Sequence, residues 1–330
     1  MSAGDLMAAE IAQAPVVFAA AAAKDQSGIV SALRLRRKSA IYTIARGSSD
    51  AAANILSYEF MRELGLPMTS LPPSIFSVGQ GVTMENALAL VISQSGASDD
   101  LVRSARGIRA KGGTVLAITN VPDSPVEQVS DATLAMAAGP ELAVPATKSV
   151  VGAIAAGMAL LAALKPDYNA AGAGAGFQSS PPHPQANALT DALVRSDNIY
   201  VIGRDTGYGA AHEIALKLKE CCALHAEAYS SSEVLHGPLQ LVTKPLLILI
   251  LDTGQPDIQD SLNIAEARFR GAGGTVFRLR PPEIGIGPML PAAAAARLLC
   301  MVYPIVLATA LALGHDPDAP ATLSKVTQTR

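Results

Sequence analysis

Four groups of residues combine types and spacings that could do chemistry. The first is Ser93-Gln94-Ser95-Gly96-Ala97-Ser98, set between an apolar run and a helical pattern. Three hydroxyls and several backbone N–H groups then meet at a helix N-terminus, where the helix dipole and unpaired amides favour an anion. No lysine is embedded and no GxxxxGK[ST] motif occurs in the chain, so this is not a nucleotide P-loop. Small neutral donors suit a monophosphate. Ser98 alone equally suits a helix N-cap. The whole cluster, together with Ser48 and Ser49 in an equivalent turn, points to phosphate binding.

The second group lies on His212–Glu220. Glu213, Lys217 and Glu220 are spaced i, i+4, i+7 and share one helix face. On spacing alone this is the mark of a solvated salt-bridge face. Leu216 stands where a zinc-protease HExxH helix needs its second histidine, so that reading is excluded. The third group runs through His225-Ala226-Glu227-Ala228-Tyr229 to Leu235-His236-Gly237-Pro238. His236 precedes Gly-Pro and so sits at an accessible turn. The spacing of these histidines and carboxylates fits no common metal template, and a general acid/base is the better use of His236. The fourth is the tail, in which Lys325 taken alone is a solvated lysine.

The elements that must position these groups alternate. The first residues, to about Ser31, read as an alanine-rich helix. Ser39–Ala45 reads as a strand, Arg46–Asp50 as a tight turn and Ala51–Leu64 as a helix. Leu88–Ser93 (strand), Asp99–Ala110 (helix) and Thr114–Thr119 (strand) repeat the unit, which implies an α/β fold with a parallel sheet covered on both faces. An apolar helix at Val150–Leu164 precedes Ala170–Pro184, whose AGAGAG, PP and HP runs read as a flexible, poorly helical boundary. The pattern then restarts. Ile41–Arg46 matches Ile199–Arg204, one offset carries Ala52-Ala53 onto Ala210-Ala211 and Gly96 onto Gly254, and Gly112–Val115 echoes Gly273–Val276. The chain therefore reads as a duplicated domain: residues 1–168 with an N-terminal helix, a linker at 169–188, a second domain at 189–314 and a tail at 315–330.

Composition bounds the rest. In 330 residues, 50% are hydrophobic and 16% charged, with a formal net charge of -3. This is a globular chain with no basic stripe for nucleic acid; the run Arg34–Lys38 reads as a solvated helix end. Cys221, Cys222 and Cys300 have no metal spacing and fit a reducing compartment. Met1–Glu10 lacks a basic n-region and does not read as a signal peptide, so a cytoplasmic location is expected. Leu298–Leu313 is nearly all apolar but short for a bilayer span, and it contains Pro304. It reads as a buried helix, and no membrane partner is expected.

Taken together, SQSG at Ser93–Gly96, NVP at Asn120–Pro122, ATKS at Ala146–Ser149, LKLKE at Leu216–Glu220, HAEAY at His225–Tyr229, LHGP at Leu235–Pro238 and LSK at Leu323–Lys325 resemble the SIS (sugar isomerase) family. The likeness is specifically to the isomerase half of glutamine–fructose-6-phosphate aminotransferases and to stand-alone type II glucosamine-6-phosphate deaminases. The resemblance implies two tandem SIS domains, each a flavodoxin- or Rossmann-like parallel sheet flanked by helices on both faces, with a C-terminal tail over the active site. It implies that Ser48, Ser49, Ser93, Gln94, Ser95 and Ser98 hold a substrate phosphate. Gly47, Val144 and Ala146 would line the sugar, Ala146 replacing a serine of the family pattern.

The resemblance further assigns roles. Glu220 matches the base that moves a proton between C1 and C2, and Lys217 its neighbouring lysine. His236 matches the histidine that opens the sugar ring, reaching across a homodimer interface into the partner's site. Lys325 matches the lysine that forms a Schiff base with the open-chain ketose. No metal and no organic cofactor is implied. Ser2 stands where the aminotransferases carry a cysteine nucleophile, and the first cysteine is Cys221, so glutamine is not the expected nitrogen donor. The expected reaction is glucosamine 6-phosphate plus water to fructose 6-phosphate plus ammonia. Isomerisation, deamination or deglycation of another sugar phosphate, such as galactosamine 6-phosphate or a fructosamine 6-phosphate, is the alternative. A non-catalytic sugar-phosphate-binding regulator is a second.

Overall fold

The computed structural model describes residues 2–179 and 181–325. They form two compact units, one around each of two parallel sheets.

The first-sheet unit comprises residues 13–141, 148–178 and 324–325. Helix α1 (Asp5–Ala22) enters it from residue 13 and is followed by α2 (Ser27–Ala32). The alanine-rich start is thus two helices. Then come β1 (Ala40–Ile44), α3 (Gly47–Leu64), β2 (Met68–Ser70), α4 (Ser74–Ser77), β3 (Ala87–Ser93), α5 (Asp99–Ala110), β4 (Thr114–Thr119), α6 (Pro125–Gln128), β5 (Ala132–Ala135), α7 (Lys148–Leu164) and α8 (Ala170–Ala175). The strand order is β2-β1-β3-β4-β5, with every pair parallel. Strand β3, ALALVIS, is buried at every residue, as a central strand covered on both faces must be. Helix α5 follows Ser98 at its N-cap position, with Asp99 and Asp100 in its first turn and Arg109 in its last, matching the helix dipole. One face of the sheet packs Val91, Leu101, Ile108, Val115 and Ala117 into a common core.

The glycine-alanine run expected to be flexible is a helix. Asn169 caps α8 by accepting the Gly172 N–H at 2.8 Å. A Cβ on Gly174 would lie 3.0 Å from the Ala22 Cβ, so the missing side chain lets α8 press against α1. Phe177 then stacks on Phe18, ring centroids 3.9 Å apart. Tertiary packing outweighs the low propensity of the glycines here.

The second-sheet unit comprises residues 2–12, 142–147, 179 and 181–323. After α9 (Ala186–Val194) it runs through β6 (Asn198–Gly203), α10 (Thr206–Cys222), β7 (His225–Ser230), β8 (Leu247–Leu251), α11 (Gln259–Gly271), β9 (Thr275–Leu279) and α12 (Pro291–Ala312). The order is β7-β6-β8-β9, again all parallel, which repeats the first four strands of the other sheet. Strand β8, LILIL, is the continuous buried run of this core. Among the described residues, two helices, α1 and α12, are long and apolar enough to cross a bilayer by length and composition. Most of α12 is buried in the unit, which suits the core helix expected there.

Candidate active site

In open α/β sheets, ligands settle outside the carboxyl ends of the strands, where the strand order reverses. In the first sheet that point lies between β1 and β3. The turns leaving these two strands carry Ser48 and Ser49 in the first turn of α3, and Ser93 to Ser98 ahead of α5. All six expected phosphate-binding residues are therefore at one end of two neighbouring strands. Arg46, which precedes α3, places Nε and Nη2 at 3.2 and 3.1 Å from Oδ2 of the nearly buried Asp100 in the first turn of α5. This pair ties the two helix starts together.

The loop has a fixed shape. Ser93 Oγ accepts the Gly96 N–H at 3.1 Å, and Ser95 Oγ accepts the Ala97 N–H at 3.3 Å. Gly96 sits at φ +61°, and a Cβ there would meet Ser124 Oγ at 2.1 Å, so glycine is required twice over. Ser98 occupies the N-cap position of α5, yet its side chain makes no capping hydrogen bond. Of the two uses the sequence allowed for this hydroxyl, capping is not the one observed.

Lys325 belongs to the same unit. Its Nζ lies 3.6 Å from Glu141 Oε2. The Glu141 carboxylate in turn accepts the Ser149 N–H at 3.0 Å and the Ser149 hydroxyl. Lys148 next to it is buried and donates 2.6 Å hydrogen bonds to Gln13 Oε1 and the Pro140 carbonyl.

In the second-sheet unit, α10 carries the charged face. Lys217 Nζ is 2.6 Å from Glu220 Oε2 and 3.3 Å from Glu213 Oε1. Lys217 and Glu213 have no exposed side-chain surface, whereas 25% of the Glu220 side chain is exposed. The Tyr303 hydroxyl, from α12, donates to Glu213 Oε1 at 3.0 Å. Burial alone would lower the pKa of Lys217, but Glu213 and then Glu220 outweigh it, and the ammonium is held above its ordinary value. The spacing seen in sequence is thus a buried relay with one carboxylate at its open end, not a solvated face. Cys221 beside it is buried, and burial pushes its thiol up to about 12 against the pull of Lys217.

Val144 and Ala146 lie half-buried on a tethered segment. Glu10 Oε1 accepts the Leu142 and Ala143 amides, and the Asp318 carbonyl accepts the Val144 N–H at 2.9 Å. The Asp318 carboxylate accepts the Leu6 and Met7 amides at the start of α1, at 3.0 and 2.8 Å. His236 ends a short 3₁₀ turn (Glu233–His236) and is exposed as expected, followed by Gly237. No hydrogen bond joins it to the Lys217–Glu220 pair. Among the described residues, no group of three or more His, Cys, Asp or Glu side chains could hold a metal ion.

Tyr303, Glu141, Glu10 and Asp318 were not singled out by sequence reasoning. Tyr303 carried the one usable signal, a phenol hydroxyl inside a largely apolar helix that must find a partner when buried. The carboxylates at 10, 141 and 318 gave none, because they bond to backbone or side chains far off in sequence.

Comparison with known proteins follows the same lines. The chain is 33% identical over 260 residues to the glutamine–fructose-6-phosphate aminotransferase of Symbiobacterium thermophilum, covering 74% of this chain and 42% of that enzyme. It is 30% identical over 295 residues to the Sulfurisphaera tokodaii enzyme of the same name, covering 86% of this chain and 49% of that one. The chain thus spans about half the length of the curated relatives it matches. Among solved structures, a Silicibacter pomeroyi protein assigned provisionally as a phosphosugar isomerase superposes with TM-score 0.79 at 33% identity, covering 95% of this chain and 99% of that one. The Thermotoga maritima glucosamine-6-phosphate deaminase shares the fold, with TM-score 0.75 at 20% identity over 98% of this chain and 100% of that one. The sequence profile of the SIS domain matches residues 34–163 and 192–276, one stretch for each sheet, and the protein belongs to the SIS domain family.

Proposed function

We propose that the chain is a glutamine-independent phosphosugar isomerase-deaminase that converts glucosamine 6-phosphate and water into fructose 6-phosphate and ammonia. The observation that carries this reading is the Lys217–Glu220 pair, a buried ammonium bonded at 2.6 Å to a carboxylate that keeps access to solvent. Such chemistry needs one base able to act at two adjacent carbons. In the open-chain amino aldose, Glu220 takes the C2 proton as the C1 oxygen gains one. Glu220 then returns the proton to C1, which leaves an imine at C2. Water adds to the imine carbon, ammonia departs, and the oxygen of water becomes the ketone oxygen.

Lys217 orients Glu220 through Oε2, and Glu213 and Tyr303 keep Lys217 in place. The serine-rich loop at 93–98, with Ser48 and Ser49, holds the phosphate through neutral donors and so supplies remote binding energy for positioning. His236 opens the sugar ring, serving the partner subunit of a homodimer. Lys325, once its proton has passed to its ion-pair partner Glu141, adds to the C2 carbonyl of the ketose and forms an imine as the carbonyl oxygen leaves as water; hydrolysis of that imine returns the free ketose and the lysine. The relatives named for glutamine and fructose 6-phosphate support a six-carbon sugar phosphate as ligand. Ammonia is the nitrogen species this isomerase chemistry itself handles.

The test is ammonia release from glucosamine 6-phosphate without glutamine, with fructose 6-phosphate assayed in the same tube. Equal amounts of both are expected. No ammonia would sink the reading and direct the search to other amino- and keto-sugar phosphates.

A further inference from the structure

The two sheets can be compared residue by residue. In the first, Ile41 on β1 pairs with Leu88 on β3, and Leu88 with Thr114 on β4. In the second, Ile199 on β6 pairs with Leu247 on β8, and Leu247 with Thr275 on β9. Overlaying Ile41 on Ile199 therefore puts Ser93 on Asp252, Ala117 on Arg278 and Thr119 on Arg280. In each of the loops leaving β3 and β8 a left-handed glycine, three residues on in the first loop and two residues on in the second, donates its N–H to the side chain at the overlaid position. Gly96 (φ +61°) donates its N–H to Ser93 Oγ at 3.1 Å, and Gly254 (φ +78°) donates its N–H to Asp252 Oδ1 at 2.8 Å.

The three replacements act together. Asp252 is fully buried, and Arg278 Nε and Nη2 donate to its Oδ2 at 3.0 and 2.7 Å. Arg280 Nε lies 3.2 Å from the same oxygen, and Gln259 Nε2 donates to Oδ1 at 2.9 Å. Where the first sheet has a hydroxyl between two small neutral side chains, the second has a carboxylate between two guanidiniums. Beside it, the Thr253 side-chain oxygen is buried with no hydrogen-bond partner. A buried carboxylate with this many charge-assisted donors fills the room and the charge demand of an anion.

We propose that the loop at 252–254 is the duplicated counterpart of the phosphate loop at 93–98 with its anion built in. The Asp252 carboxylate stands in for a phosphate between Arg278 and Arg280. Each chain then takes one phosphomonoester, and removing that carboxylate opens a second site for a phosphate group. The inference rests on the reading of residues 93–98 as a phosphate loop.

The experiment is an equilibrium titration of the full chain with radiolabelled inorganic phosphate, for the wild type and for Asp252→Gly and Asp252→Ser. A glycine leaves room for the tetrahedral ion, and the serine reproduces the residue of the first sheet. The expected result is one more equivalent of phosphate per chain in the variants than in the wild type, lost again when Arg278→Ala is added. Variants that fold and gain no equivalent overturn the proposal. So does a wild-type chain that binds two equivalents, a measurement that needs no variant to fold. A wild type that binds none, beside variants that bind one, faults the assignment of the loop at 93–98 and leaves the built-in anion standing.

Discussion

Lys217 Nζ lies 2.6 Å from Glu220 Oε2, and the two are one helical turn apart on α10. A lysine without solvent exposure thus presents its charge to a carboxylate that has some. Glu220→Gln keeps the shape of this arrangement and removes the base. Turnover of an amino-sugar phosphate is expected to fall by roughly 10²–10⁴, the usual contribution of a general base, with ligand affinity nearly unchanged. Steady-state kinetics beside a binding titration decides it, and full activity in the variant would remove Glu220 from the mechanism.

Glu213 and Lys217 are both completely buried, so they depend on each other. Lys217→Met takes away the ammonium that lies 3.3 Å from the buried Glu213 carboxylate, a loss expected to cost about 3–5 kcal/mol. Adding Glu213→Gln removes the stranded charge and is expected to restore most of that stability. Urea unfolding of both single variants and the double variant measures the coupling. Strict additivity would show that the pair is energetically independent.

Gly96→Ala puts a Cβ 2.1 Å from Ser124 Oγ at a left-handed backbone position. The loop must open or shift, and its amides then no longer converge. The expected outcome is a KM for the phosphosugar raised at least about tenfold, with the far-UV spectrum unchanged. An unchanged KM would move the phosphate away from this turn.

Alkaline pH should weaken the fold. The Cys221 thiol is raised from its usual 9.0 to about 12 by burial, and Lys217 is raised by Glu213 and Glu220. Between the unfolded and folded values the unfolded chain has lost these protons and the folded chain still holds them. Stability from both groups is therefore complete at neutral pH and declines as pH rises above about 9. Denaturation midpoints measured at pH 7, 9 and 10 should fall in that order. At pH 8 iodoacetamide should label Cys221 in the folded protein far more slowly than in urea; equal rates would contradict the buried thiol.

Much of this architecture was legible from residues alone, for identifiable reasons. The strand at Thr114–Thr119 and the helix at Asp99–Ala110 have the bounds expected from sequence, since an apolar run and an acidic helix start mark them unambiguously. Edge strands were less visible: β2 is only three residues long, Met68–Ser70, and two of the three are exposed. The α8 helix was misread because its glycines matter through close contact with α1, which no local pattern reveals. On α10, the shared face of Lys217 and Glu220 was apparent but the burial of Lys217 was not. The i, i+4, i+7 spacing is the same on a wet face and a dry one, and partners distant in sequence, such as Tyr303 of α12, help make this one dry. The Asp252–Arg278–Arg280 cluster was hidden for a related reason. Strand β9 is an edge strand, and the alternating charge of Arg278-Leu279-Arg280 looks like its solvated side until the register shows both guanidiniums meeting Asp252 at the end of the next strand.

The serine-rich turn after β3 contains no cationic side chain, and Arg46 at the same end of the sheet is committed to Asp100 at 3.1 Å. An anion held there is solvated by dipoles, much as water would solvate it, instead of being neutralised by a counter-charge. Dipoles act over a few ångströms, so they cannot gather ligands from across the Debye atmosphere as a basic funnel does. Affinity at this turn should therefore be nearly indifferent to ionic strength. Arrival should be unsteered, and a phosphorylated product should leave without having to break a salt bridge.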